Sequence, residues 1–353
     1  MNLGDVRRRL FDLLASSIGR YVRVREWVYL GRATRLPLVI ETGPDTSHIF
    51  KTRINVPSSN PDLKWVLKLV ASGNAIIRVD GELRAGLDEA HTYMAIEPGE
   101  RSVEVAFSPR SLFGYHKWSF FFEDAYLIEI AWQVLGFSLR ALKLLEFVEN
   151  LRSGSRLRAD LEKLLYSLLR EVRLNPSLRQ IALANILLYS SVPAPYFKRD
   201  DVPKPYEDYL WITGVYGVGA LSSAVPDVES EDVSRSIELS RYLEKELRSR
   251  LYEIAKKYGK PGVAYAVGHS HIDAAWLWPR SETILKVLRT FSTVLNLLSD
   301  YEFTYVQSSA QYYEWVEERA PEVLEKIRKF VELGRWIIAG GMWVESDTQL
   351  VDG

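Results

Sequence analysis

From Gly262 onward the chain alternates short apolar runs with amphipathic helical stretches: GVAYAV, SETILKVLRTFSTVLNLLSD, EFTYVQSS, PEVLEKIRKFVELGR and WIIAGG in that order. Ser281 reads as a helix cap and Pro321 as a first-turn residue, so each helix has a start signal. No other feature constrains the fold as much. Parallel strands need a crossover between them, and a helix between every two strands supplies it. The expectation for residues 260–353 is a parallel α/β, barrel-like arrangement of three βα units. Folds of this kind place their sites at the C-terminal ends of the strands. Three polar clusters fall there: His269 to Asp273, Gln307 to Ser309, and Glu345 to Asp347.

The preceding sequence has other rhythms, so a multidomain chain is expected. Residues 1–21 read as an amphipathic helix, because Asp12 and two serines interrupt an apolar run too short for a signal peptide. Residues 22–123 read as an all-β sandwich or jelly roll. In NAIIRVDGELRAGLD, Asp80-Gly81 separates two strand-like runs, a strong hairpin signal, and SVEVAF alternates again. The aromatics Tyr115, Trp118 and Phe120 to Phe122 suit either a core or a sugar-stacking face. Residues 124–259 read as a helical region with a linker. The 3.6-residue period begins at Ala125 in AYLIEIAWQVLGFSLRALKLLEFVENL, and prolines 193, 195, 203 and 205 with GVYGVGALSSAVP mark an irregular connection.

Charge excludes more than it names. With 45 basic and 46 acidic side chains there is no field for nucleic acid, and no apolar run approaches a membrane span. The absence of cysteine excludes thiolate ligands and a cysteine nucleophile, leaving any metal to His and carboxylate, and makes a cytoplasmic location the simplest expectation.

Of five histidines, His48, His91 and His116 are scattered, whereas His269 and His271 stand with Asp273 in GHSHIDAAWLWP. In an extended segment alternate side chains share a side, so two imidazoles and a carboxylate can point together from a strand end. That suits a borderline divalent cation such as zinc in a site with an open position; a capped loop with backbone-bonded histidines is the alternative. Asp347, in GGMWVESD after the third strand, favours the metal, since neighbouring strands lie only ~5 Å apart. Trp276 could plug the strand ends or stack on a ligand; Trp278 and Trp343 are assigned to packing.

GHSHIDAAWLWP, the helix with RTFSTVLNLL, FTYVQSSAQYYEWV and GRWIIAGGMWVESDTQL resemble glycoside hydrolase family 38, the retaining α-mannosidases, in four successive blocks. GNAIIRVDGELRAGLDEAH looks like the sugar-binding-like β domain of the cytosolic and microbial branch. The resemblance implies that His271 and Asp273 are zinc ligands, that Asp347 is both ligand and catalytic nucleophile, and that Trp276 forms the floor under a bound mannose. His269 is left a supporting or backbone-bonding role. The implied substrates are mannose-containing oligosaccharides or glycosides, and the implied cofactor is one divalent ion, Zn2+; a homo-oligomer is compatible with the reading. Family members continue well past the Asp347 motif, so the expectation is an N-terminal segment, with at most a trace of turnover by itself. Two other classes compete. A zinc-dependent amide or acetyl hydrolase would use the same H-x-D geometry but a water-activating base, and a noncatalytic carbohydrate-binding protein would rest on the β domain and ignore chelators.

Overall fold

A computed structural model describes residues 2–43, 46–88, 91, 93–110, 118–188, 232–259 and 262–345. Asp347, Tyr115, His116 and the proline- and glycine-rich connection at 189–231 lie outside the described residues.

The chain opens with helix α1 (Leu3–Ala15), capped by Asn2, whose side chain accepts from the Asp5 backbone while Asp5 answers in return. Eleven strands follow among the described residues: β1 (Ile18–Arg23), β2 (Glu26–Tyr29), β3 (Arg32–Arg35), β4 (Leu38–Glu41), β5 (His48–Val56), β6 (Leu63–Ala71), β7 (Asn74–Val79), β8 (Glu82–Leu87), β9 (Tyr93–Ile96), β10 (Gly99–Ser108) and β11 (Ser119–Ala131). They form two antiparallel sheets, one of order β1-β11-β6-β9 with β4 also on β11, the other of order β3-β2-β5-β10-β7-β8. The sheets pack face to face over a shared core that includes Trp27, Phe50, Trp65, Leu67, Phe107 and Phe122. The expected hairpin is present: Val79 pairs with Glu82, and Asp80 and Gly81 both take positive φ, 54° and 87°. The aromatic run alternates, with Phe120 and Phe122 fully buried and Phe121 and Trp118 exposed.

The helical period read from Ala125 is corrected by β11, which continues as strand through Ala131 before α2 (Trp132–Asn150) begins. The reason is double coverage. Ala125 and Leu127 face the sandwich core, while Tyr126, Ile128 and Ile130 face a second core built with α1 and α4 (Leu178–Leu188). A strand buried on both faces is apolar at every position and loses the alternation that identifies strands. Helices α3 (Arg156–Leu169) and α5 (Ser234–Tyr258) join α1 and α2 in a third core.

The final part holds β12 (Gly268–His269), α6 (Arg280–Asp300), β13 (Tyr305–Gln307), α7 (Ala310–Arg319), α8 (Pro321–Glu332) and β14 (Trp336–Ile338). The strands form a parallel sheet of order β12-β13-β14. GVAYAV is not a strand as expected. Residues 262–267 join no sheet, with Val263, Tyr265 and Val267 at 80%, 95% and 55% exposure, and pairing begins only at Gly268. Ser281 lies inside the first turn of α6, which Pro279 precedes.

The sandwich is the platform on which this unit rests. Ile76 and Leu83 share a core with Ile272, Phe291, Tyr305, Trp315 and Trp336. Gly86 lies so close to α6 that a Cβ there would come within 2.4 Å of Arg289 Cβ. Buried Glu282 in the first turn of α6 accepts from Ser108 Oγ at 2.7 Å and pairs with buried Arg289 at 3.3 Å. Among the described residues no helix is long and apolar enough to cross a membrane.

Candidate active site

The loop 270–279 leaves β12 between the first turns of α6 and α7. His269 donates its Nδ1–H to the Val306 carbonyl, 2.9 Å away on the neighbouring strand, so it bonds to backbone. The next alternate residue behaves differently. His271 is 64% exposed, with Nε2 3.1 Å from Asp273 Oδ1 and Nδ1 2.9 Å from Glu345 Oε2. Glu345 is itself held by Ser308 Oγ, which donates to Oε1 at 2.9 Å. Each of the three predicted polar clusters therefore contributes a side chain to one constellation at the C-terminal edge of the sheet. Partial desolvation opposes the charge on His271, but its hydrogen bonds to Asp273 and Glu345 outweigh this and hold its pKa above the ordinary imidazole value.

Residues after β14 are fixed by backbone bonds to the start of α7: Ala310 N donates to Met342 O at 3.1 Å and Gln311 N to Trp343 O at 3.0 Å. This brings Glu345 beside His271. Ser309, at the turn into α7, holds φ at 70°, a left-handed conformation that serine rarely adopts. Gln307, fully buried at the end of β13, accepts from Tyr305 OH through Oε1.

Trp276 is 58% exposed and stands edge-on to Trp278, with ring centroids 5.3 Å apart, so it does not plug the strand ends. Trp278 is buried as assigned, and Lys286 Nζ sits 4.3 Å over its ring. Burial, followed by the neighbouring Arg289 charge, pushes Lys286 down to about 8. Trp343 is corrected: it is 53% exposed, because the segment after β14 is held through its backbone and not by packing of that side chain. Among the described residues no group of three or more His, Asp or Glu side chains is arranged as a ready metal cluster. Of the expected set, His271 and Asp273 are brought together and Asp347 lies outside the described residues. Glu345 is the addition. It was visible in the sequence as part of the third polar cluster, but nothing there distinguished it from Asp347 as the partner of His271.

Residues 261–353 match the family described as Glycosyl hydrolases family 38 N-terminal domain. Over these residues the chain is similar to family 38. Alpha-mannosidase G of Dictyostelium discoideum is 44% identical over 90 residues, covering 25% of this chain and 8% of that protein. Alpha-mannosidase 2C1 of Homo sapiens is 43% identical over 90 residues, 25% of this chain and 9% of its own. The alpha-mannosidase of Saccharomyces cerevisiae is 36% identical over 107 residues, 30% of this chain and 10% of its own. The match thus spans a tenth or less of these relatives' length. It includes the whole parallel sheet, with His271, Asp273, Glu345 and Asp347.

Proposed function

We propose that this chain contributes the metal ligands and the nucleophile of a retaining α-mannosidase acting on mannose-containing glycosides. The observation that carries the reading is the His271–Asp273 pair, 3.1 Å apart at the strand ends, inside the segment that matches family 38. The donor set fits a zinc-like ion: one imidazole nitrogen and one carboxylate oxygen lie close enough for each to make a ~2 Å bond to a shared cation. Glu345 suits that arrangement. With Nδ1–H donated to Glu345, His271 keeps its Nε2 lone pair on the Asp273 side, the pairing by which outer carboxylates orient metal-binding histidines. Asp347, two residues beyond Glu345, is the third ligand in this reading. When bound, the ion would template vicinal sugar hydroxyls and stabilise developing charge.

Asp347 is the proposed nucleophile: its carboxylate oxygen forms a bond to the anomeric carbon as the glycosidic C–O bond breaks and the leaving oxygen takes a proton from an acid; water then cleaves the ester with net retention. Exposed Trp276 offers an apolar face to the carbon–hydrogen face of the sugar. A cytoplasmic site of action is part of the same proposal.

The test is covalent trapping. A fluorinated mannosyl fluoride carries a leaving group that needs little acid assistance, so it probes the nucleophile separately from the general acid. Incubated with the zinc-loaded chain and digested, it should label the peptide containing GGMWVESDTQL at Asp347, and chelation should abolish labelling. A label on another carboxylate, or labelling indifferent to chelator, would show the assignment to be wrong.

A further inference from the structure

The backbone on each side of Asp273 is pinned by a buried hydroxyl. Ahead of it, Tyr312 OH donates to the carbonyl of Ile272, and behind it Thr283 Oγ1 donates to the carbonyl of Ala274 at 2.8 Å. Both side chains are fully buried, Tyr312 in the first turn of α7 and Thr283 in the first turn of α6. The Thr283 hydroxyl has no freedom to turn elsewhere, because its oxygen also accepts the Trp278 indole N–H at 3.0 Å, which directs its own proton to Ala274. Ile272 is buried in the core shared with the sandwich, while on either side of it His271 is exposed and Asp273 half-buried. The two carbonyls thus tie an otherwise irregular loop to two different helices, and Asp273 is the residue between them.

We propose that Thr283 and Tyr312 are positioning residues for the metal site: together they set the direction of Asp273, and through it the pairing with His271. In this proposal neither is a ligand. The physical case is that a carbonyl fixed by a buried hydroxyl fixes the peptide planes next to it, and a carboxylate is only as well placed as the backbone that carries it. The inference rests on the proposed metal-binding role of His271 and Asp273, but the fixing of the loop can be measured without any metal.

The experiment compares the full chain with Thr283→Val, Thr283→Ser and Tyr312→Phe, using zinc alone as the probe. Two quantities are read: zinc affinity by competition with a chromogenic chelator, and backbone amide exchange over 270–276 in the metal-free protein. Thr283→Val and Tyr312→Phe should weaken zinc by about 10–100-fold, the usual cost of removing an outer-shell partner, and should speed exchange in 270–276 while leaving α6 and β13 at wild-type protection. Thr283→Ser, which restores the hydroxyl, should return both quantities toward wild type. If both hydroxyl-deleting variants keep wild-type affinity and wild-type exchange, the proposal is overturned. It is equally overturned if exchange rises throughout α6 and β13, because the residues would then be supporting the fold and not the loop. If the wild type binds no zinc while the variants loosen 270–276 and serine restores it, the metal reading fails and the positioning of Asp273 by these hydroxyls stands.

Discussion

Two sheets of this protein live under different conditions. The β1-β11-β6-β9 sheet has a core on each face, one shared with the second sheet of the sandwich and one with the helices α1 and α4. The β12-β13-β14 sheet buries Tyr305, Gln307 and Trp336 against α6, α7 and α8, but Ile337 and Ile338 remain 44% and 55% exposed, and the apolar run before β12 is open to solvent. Parallel sheets are ordinarily covered on both faces. Coverage, more than composition, therefore sets what a given residue contributes. The sheet that carries the candidate site leans on the other sheet of the sandwich, through Ile76 of β7, Leu83 of β8 and the approach of Gly86 to Arg289.

The largest effect should come from the doubly covered strand. Ile128→Ala removes a fully buried side chain and should cost about 2–5 kcal/mol in denaturant unfolding; a loss under ~1 kcal/mol would mean that the second core is loosely packed. Next comes Glu129 on the same strand, buried and bonded to Arg20 at 2.6 and 2.7 Å and to Ser59 at 2.7 Å. Burial alone would raise its pKa, but these hydrogen bonds outweigh burial and hold it below its ordinary 4.5. With the folded value depressed, its stabilisation is present above about pH 4.5 and is lost as pH falls through the lower folded value. Glu129→Gln should therefore cost about 1–3 kcal/mol near neutrality and flatten the acid limb of the stability–pH curve; an unchanged acid limb would contradict the assignment.

At the joint between the two regions, Gly86→Ala drives a methyl into Arg289 and should cost about 1–3 kcal/mol, the usual penalty of overpacking. Thermal melts and amide exchange in α6 would report it, and a neutral substitution would mean that the sandwich is not a platform. The smallest effect belongs to the half-open sheet: Ile337→Ala should stay within about 0.5 kcal/mol, as for surface positions. A cost like that of Ile128→Ala would show that the face is covered in solution.

The same contrast explains what could be read from the sequence. Elements with a local signal were legible: the β7–β8 hairpin through its Asp80-Gly81 turn, and the helices α6 and α8 through their apolar stripe. β11 was not, because two-sided burial erased its alternation and left a run that also fits a helix. GVAYAV misled in the other direction, being apolar enough for a buried strand but unpaired here. At the site, alternation in the sequence grouped His269, His271 and Asp273, and the family resemblance picked His271 and Asp273 from among them. The partnership of Glu345 with His271 was not readable, since it depends on where the chain turns after β14. Thr283 and Tyr312 were silent, as a lone hydroxyl within a helix carries no pattern until the loop folds against it.

The central claim is that His271 and Asp273 form the metal-binding half of an α-mannosidase site, and isothermal titration of the full chain with zinc tests it most directly. The predicted result is one ion per chain, with His271→Ala and Asp273→Ala each losing most of the binding heat while His269→Ala, whose ring bonds to backbone, keeps the stoichiometry. Absence of zinc binding, or binding that survives both His271→Ala and Asp273→Ala, would contradict the account.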